Sequence, residues 1–238
     1  DRGNAMAEGL ELIEKLPDPI GEVLDMRTLP NGLTVGQKRV PMGVIGIIYE
    51  ARPNVTSDAF GLCLKAGSAV ILRGGSDAIY SNIATVSVFR KAIEDLGYNP
   101  DFVQLVEDTT RASSTEMMTL NDYIDLLIPR GGKGLIQSVV KNATVPVIET
   151  GVGNCHIYMD ESGKIDDGVN IIVNAKAQRV GVCNAAETLL VHKNIAKEYL
   201  PKAISALREK GVEIRGDERV ADIVPDVVPA TEEDWATE

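Results

Sequence analysis

The chain has 238 residues, 44% of them hydrophobic and only ten aromatic. That describes a soluble globular protein of one large domain, or one and a half ordinary ones, with a core of Val, Ile, Leu and Ala. Of the net charge of −11, residues 216–238 carry −7 and the other 215 only −4, so no basic stripe is available for nucleic acid. No apolar run approaches the ~20 residues that cross a bilayer, and Asp1-Arg2-Gly3-Asn4 is no signal peptide.

In chain order, the pattern predicts a helix over 4–16, ended by Pro17 and Pro19. A hairpin follows over 29–40, with Pro30-Asn31-Gly32 as its turn. Then short apolar, β-branched runs at 44–49, 69–72, 102–106, 124–128 and 145–148 alternate with helical patterns at 57–66, 76–96, 109–120 and 132–141. Strands of that kind are buried on both faces. The alternation predicts an α/β fold with a doubly wound parallel sheet. A second α/β region begins near His156, dividing the chain into 1–155 and 156–238. It reads as strands at 156–159 and 187–191 with a helix at 165–178 between them. A helix at 194–210 follows, kinked or restarted by Pro201, and then a strand at 212–215. There are no internal repeats.

Cys183 stands out within Arg179-Val180-Gly181-Val182-Cys183-Asn184-Ala185, on the loop between the 165–178 helix and the 187–191 strand. A thiolate attacks carbonyl carbon readily. An ordinary thiol, with a pKa of about 8.5, is only slightly ionised at neutral pH, so such a site needs a positive potential or a nearby base. Cys63, on an apolar helix, and Cys155, beside a strand, read as packing residues. Three widely spaced cysteines without metal-ligand spacing suggest a reducing compartment, most simply the cytoplasm. His156 and His192 are too far apart in sequence to suggest a dyad, and neither suggests a metal site.

Two glycine runs follow strands. Arg130-Gly131-Gly132-Lys133-Gly134 opens a helix, so its backbone N–H groups suit a phosphate, although the same run also makes a flexible turn. Its spacing is neither that of a dinucleotide fingerprint nor that of a P-loop. Arg73-Gly74-Gly75-Ser76 ends a strand and offers Ser76 as a helix cap. Glu149 sits thirty-four positions before Cys183, on the open run Glu149-Thr150-Gly151-Val152-Gly153.

The segments RVGVCNAAETLLVH, PMGVIGIIYEARPNVTSDAFGLCLKAGSAVILRGGSDA and LIPRGGKGLI together resemble the gamma-glutamyl phosphate reductases. These form the acyl-phosphate-reducing branch of the aldehyde dehydrogenase superfamily, and the resemblance runs from about Met6 to Asp234. It implies NADPH-dependent reduction of L-glutamyl 5-phosphate to L-glutamate 5-semialdehyde with release of phosphate, a step of proline biosynthesis. Residues 1–155 would then be the NADP-binding domain, with the cofactor pyrophosphate beside Arg130, Gly131 and Gly132. The adenine ribose would lie beside Arg73, Gly74 and Ser76, with the Arg73 guanidinium suited to the extra phosphate of NADP. Residues 156–238 would be a partial catalytic domain, and the chain an internal fragment cut at both ends.

The resemblance makes Cys183 the nucleophile. Glu149 matches the glutamate that serves as base in aldehyde-oxidising relatives, a base that a reductase protecting its thioester from water needs less. The superfamily's usual Trp–Asn pair is absent where Glu50-Ala51-Arg52-Pro53 stands. The amide that would assist the Cys183 backbone N–H at the oxyanion stays open between Asn54 and Asn184. Arg52 would bind the substrate phosphate or carboxylate, or form an ion pair at a strand end. Chemistry is expected in the cleft between the two regions. The 29–40 hairpin resembles an assembly element, compatible with a homo-oligomer, and glutamate 5-kinase is the implied functional partner. Two rivals are a hydrolytic aldehyde dehydrogenase using Glu149, which would turn over without phosphate, and a silent nucleotide-binding module in which Cys183 is an ordinary buried thiol.

Overall fold

A computed structural model describes residues 2–50, 53–151 and 153–237. The chain forms two compact units, Asp1–Gly151 and Val152–Glu238. The first opens with α1 (Arg2–Glu14), then a hairpin of β1 (Val23–Thr28) and β2 (Thr34–Lys38). At its turn, Gly32 adopts a φ of +83°, and the Asn31 Oδ1 accepts from the Leu33 N–H at 3.0 Å. No neighbouring atom crowds Gly32, so left-handed backbone rather than space calls for glycine there. The hairpin therefore spans 23–38 rather than 29–40. Its first strand, Val-Leu-Asp-Met-Arg-Thr, is exposed along its whole length and lacks the burial that makes a strand legible by pattern.

Four parallel strands make the main sheet: β3 (Val44–Tyr49), β4 (Ala69–Arg73), β5 (Val103–Leu105) and β6 (Leu126–Arg130), in the spatial order β5-β4-β3-β6. Helices cover both faces, as expected of a doubly wound sheet. On one face α2 (Pro53–Lys65) and α3 (Ile79–Asp95) cover Ile45, Ile47, Tyr49 and Leu72, with Phe60 stacked on Phe89. On the other, α4 (Arg111–Met117) and α5 (Lys133–Asn142) help close a core around Ile48, Met117, Leu127 and Val139. Burial on both faces explains the unbroken apolar run of β3.

Two expected elements are reduced. The 145–148 run forms a single parallel bridge, Val147 to Leu127, rather than a strand. The Leu127 N–H donates to the Pro146 carbonyl and the Ile148 N–H to the Leu127 carbonyl. Pro129 and Pro146 have no N–H to continue the ladder. The 76–96 helix begins as a short 3-10 turn at Ser76–Ala78 with Gly75 in the cap position. The Ser76 hydroxyl donates to its neighbour Asp77 at 3.4 Å instead of capping.

In the second unit β7 (Cys155–Met159) and β8 (Ala186–Val191) pair in parallel, with α6 (Ile165–Ala177) and α7 (Ala196–Arg208) packed on them. The α7 helix continues through the exposed Pro201, without the restart that is one of the two readings of the proline. Its inner face carries Tyr199, fully buried, whose hydroxyl donates to the Gly168 carbonyl at 3.0 Å. The unit ends with β9 (Arg215–Gly216), α8 (Glu218–Ile223), β10 (Val228–Pro229) and α9 (Glu232–Ala236), where β9 and β10 pair in parallel. The expected 212–215 strand is thus shorter and displaced to 215–216. Asp217 caps α8 through the Val220 N–H at 2.9 Å.

Candidate active site

In the second unit, Cys183 lies between α6 and β8 on a turn closed by the Ala185 N–H donating to the Val182 carbonyl at 3.1 Å. Cys183 and Asn184 are its two central residues, and both are exposed. The thiol therefore stands on a turn, outside any ladder. A pocket of about 240 Å³ opens beside it, lined by Asn174, Gln178, Arg179, Val182, Asn184 and Ala185. Among the described residues Arg179 is the one cation lining it, beside the amides of Asn174, Gln178 and Asn184.

Two further side chains hold this turn, and no local pattern marks either. The Cys155 thiol donates to the Cys183 carbonyl at 3.3 Å. The Cys155 N–H in turn donates to Glu187 Oε2 at 2.6 Å. A register shift between Cys155 and His156 leaves Glu187 as the extra residue on β8, and bulges of this kind re-aim side chains. Cys155, read above as packing, is thus half-buried and tied to the candidate nucleophile's backbone. His156 and His192 are occupied locally, His156 with the Asn154 carbonyl and His192 with Glu161 and the Asn194 N–H.

The first unit brings the glycine runs to the carboxyl end of its sheet. The chain winds one way from β3 to β4 and the other way to β6, so β3 and β6 flank the switch point where open α/β sheets bind ligands. There Gly131 and Gly132 face Glu50. Glu50 Oε1 accepts from the Gly132 N–H at 3.1 Å, and a Cβ on Gly131 would fall 2.7 Å from the Glu50 carboxyl carbon. The run is a bare backbone cradle, with Gly132 as N-cap of α5 and Arg130 exposed beside it. Such a cradle suits a phosphate, and here it holds the chain's own carboxylate. Only a glycine run was legible in the sequence; the acid opposite it was not.

On the neighbouring strand, Arg73 is turned inward. Its Nη2 donates to the Thr109 and Thr110 carbonyls at 2.7 and 2.6 Å, and its Nε to Ser113 Oγ at 3.4 Å. Burial pulls its pKa down while Asp108 opposes that shift. Gly74 sits on a buried polar chain in which Tyr49 Oη meets Thr56 Oγ1 at 2.8 Å and Thr56 donates to Asn82 Oδ1 at 2.9 Å. A Cβ at Gly74 would fall 2.3 Å from Asn82 Nδ2, so only glycine fits there. Asn54 lies in the first turn of α2, where its amide donates to Asp58 at 3.2 Å. Glu149 is exposed on the loop that ends this unit. Arg52 lies outside the described residues. Within the first unit the structure gathers Glu50 with Arg130, Gly131 and Gly132, and within the second it gathers Cys183 and Asn184 with Cys155 and Glu187.

Comparison with known proteins gives this arrangement its family. The chain is 63% identical over 233 residues to a gamma-glutamyl phosphate reductase of Clostridium botulinum, covering 98% of the chain and 56% of that protein. The crystal structure of gamma-glutamyl phosphate reductase from Thermotoga maritima matches with a TM-score of 0.90 at 53% identity, over the whole chain and 57% of that one. An engineered glycolyl-CoA reductase with bound NADP+ shares the fold at a TM-score of 0.65 and 19% identity, over 90% of this chain and 51% of that one. The chain thus spans little more than half the length of the curated relatives it matches. The profile of the Aldehyde dehydrogenase family matches residues 5–225, and the chain belongs to that family.

Proposed function

We propose that the protein carrying this chain reduces L-glutamyl 5-phosphate to L-glutamate 5-semialdehyde, releasing phosphate, as a step of proline biosynthesis in the cytoplasm. The observation that carries this reading is the 63% identity, over nearly the whole chain, to an enzyme named for that reduction. We assign the nucleophile to Cys183, which is exposed on its turn as an acyl acceptor must be. Its sulfur attacks the acyl carbon, the carbon–oxygen bond to phosphate breaks, and phosphate leaves from a thioester on Cys183. The Cys183 N–H and the Asn184 amide are the donors nearest in sequence for the oxygen that becomes negative. Arg179, lining the adjoining pocket, supplies positive potential for an anionic substrate.

Residues 1–155 would hold a reduced nicotinamide, which when bound would supply a hydride to the acyl carbon; the carbon–sulfur bond then breaks, the aldehyde leaves, and Cys183 is regained as the thiolate. For NADP(H), residues 1–155 offer the crevice between the ends of β3 and β6, with Arg130, Gly131 and Gly132 at its edge. Gly74 and Ser76 follow β4, and Arg73 holds the Thr109 and Thr110 carbonyls that lead into α4. Residues 156–238 carry the nucleophile, with Glu149 at the junction. Arg52 and Asn54 remain assigned to the substrate. The exposed β1–β2 hairpin supports assembly into a homo-oligomer, and glutamate 5-kinase is the functional partner this reading implies.

The test is NADP+ reduction with glutamate semialdehyde, with and without phosphate. Turnover that requires both phosphate and Cys183 supports the reading. Turnover that ignores phosphate means hydrolysis with Glu149 as base, and none from folded protein means a silent module.

A further inference from the structure

We propose that Cys155 is a resolving thiol for Cys183, so that oxidation of the nucleophile by a hydroperoxide ends in a Cys155–Cys183 disulfide. Among the described residues both thiols are free, and Cys155 Sγ already lies 3.3 Å from the Cys183 carbonyl oxygen. That oxygen is two covalent bonds from the Cα carrying the Cys183 thiol. A disulfide asks for Cα atoms roughly 4.4–6.8 Å apart and Cβ atoms that face each other. Cys155 pairs in register with Ala186, three residues beyond Cys183, and the turn at 182–185 folds the chain back between them.

The two ends differ in freedom, as a resolving pair requires. Cys155 is fixed by its strand and by the bond from its N–H to Glu187. Cys183 is exposed, outside regular structure, and turns its sulfur about one side-chain bond. The third cysteine is a built-in contrast: Cys63 is buried in the first unit's core, where burial pushes its thiol up to about 11.

The chemistry balances in two steps. The Cys183 thiolate attacks one peroxide oxygen, the O–O bond breaks, and the leaving alkoxide takes a proton as the alcohol, or as water from hydrogen peroxide. Cys183 is then a sulfenic acid. Cys155 gives up its proton, its sulfur attacks the Cys183 sulfur, the S–O bond breaks, and hydroxide leaves with that proton as water. The two cysteines together lose two electrons and the O–O bond gains them. A dithiol restores both thiols. Without Cys155, the sulfenic acid stays open to further oxidation to the irreversible sulfinic state.

The experiment is peptide mass spectrometry, under non-reducing conditions, of native protein treated with hydrogen peroxide and then alkylated. The expected result is a linked pair of peptides carrying Cys155 and Cys183, reversed by dithiothreitol, with Cys63 still reduced. In Cys155→Ser, sulfinic acid at Cys183 should rise at least ~10-fold over wild type, and Cys63→Ser should leave the link intact. Sulfinic acid at Cys183 in wild type with Cys155 still alkylatable overturns the proposal, as does a Cys155 link to any other partner. Loss of activity on oxidation rests on Cys183 being the nucleophile, but the mapping does not. A link in a protein whose turnover ignores Cys183 would sink the reductase reading alone, and no link in a protein that needs Cys183 would sink this proposal alone.

Discussion

The carboxyl end of the four-stranded sheet and the turn before β8 both carry residues with chemistry, and they are held in opposite ways. At the sheet end, polar side chains already have partners within the chain. Arg73 binds two carbonyls and a hydroxyl, Tyr49, Thr56 and Asn82 form a buried chain, and Glu50 fills the glycine cradle. At the turn, Cys183 and Asn184 are exposed, and the visible anchors are one turn hydrogen bond and the thiol of Cys155. The difference separates two demands. On the function proposed above, the sheet end would receive a cofactor and gain from being set before binding, whereas Cys183 would go from thiol to thioester and back and need room. It follows that substitutions at the turn should strike activity and spare stability, and substitutions in the apolar core beneath the sheet should strike stability first.

The largest expected effect tests the turn. Cys183→Ser should lower turnover by on the order of 10³-fold or more, since a serine hydroxyl without a base is a far weaker nucleophile. Its stability in urea should stay within ~0.5 kcal/mol of wild type, because the side chain is exposed and outside the core. A large loss of stability would mean the turn is built into the fold, and the contrast would fail. Next comes Leu127→Ala in the sheet. Leu127 is 0% exposed within the core of Ile48, Met117 and Val139, and its removal should cost about 3 kcal/mol, read as a lower denaturant midpoint. Alkylation of Cys183 under native conditions should proceed at the wild-type rate.

A pH titration sharpens the same contrast between buried and exposed thiols. Cys63 is 5% exposed, and burial raises its pKa from 9.0 to about 11. Between those values the unfolded thiol has lost its proton while the folded one keeps it. The folded state binds more protons, so this stability is whole below pH 9 and falls as pH rises toward 11. A rise of that size corresponds to roughly 2–3 kcal/mol. Comparing wild type with Cys63→Ala cancels the lysines and tyrosines common to both. The gap in unfolding free energy between them should narrow from pH 8 to pH 11, and a constant gap would show that Cys63 is not held as the neutral thiol.

These contrasts also show what the sequence could carry. Apolar β-branched runs marked β3, β4 and β6, because burial on both faces leaves little choice of residue. The same logic missed β1, whose side chains are exposed, and overread 145–148, where Pro146 interrupts an otherwise suitable run. At the site, single residues with intrinsic chemistry were legible: Cys183 and the glycines 131 and 132. Their partners were not. Glu50 lies 82 residues from Gly132, Cys155 lies 28 from Cys183 and Glu187 lies 32 from Cys155. Such pairings depend on strand register, including a bulge at Glu187, and no local pattern announces them. Arg73 was legible as a cation at a strand end, but its inward turn depends on the segment at 108–113 that leads into α4.

The smallest effect asks whether the scaffold behind the turn is as firmly set as the sheet of the first unit. Tyr199 is fully buried between α6 and α7, and its hydroxyl donates to the Gly168 carbonyl. Burial raises its pKa, so the hydroxyl stays neutral through the physiological range. Tyr199→Phe keeps the ring and removes one buried donor, and α6 is left with an acceptor that has lost a partner. The expected cost is about 1 kcal/mol, with turnover and Cys183 alkylation unchanged. Gly168 gives the complementary reading, since a Cβ there would lie 2.6 Å from Met159 Sδ and 3.0 Å from Tyr199 Cε2. If Tyr199→Phe instead altered the reactivity of Cys183, α6 would be transmitting strain to the turn that follows it. Cys183 would then be held by its scaffold after all, and the division between a set sheet and a free turn would have to be given up.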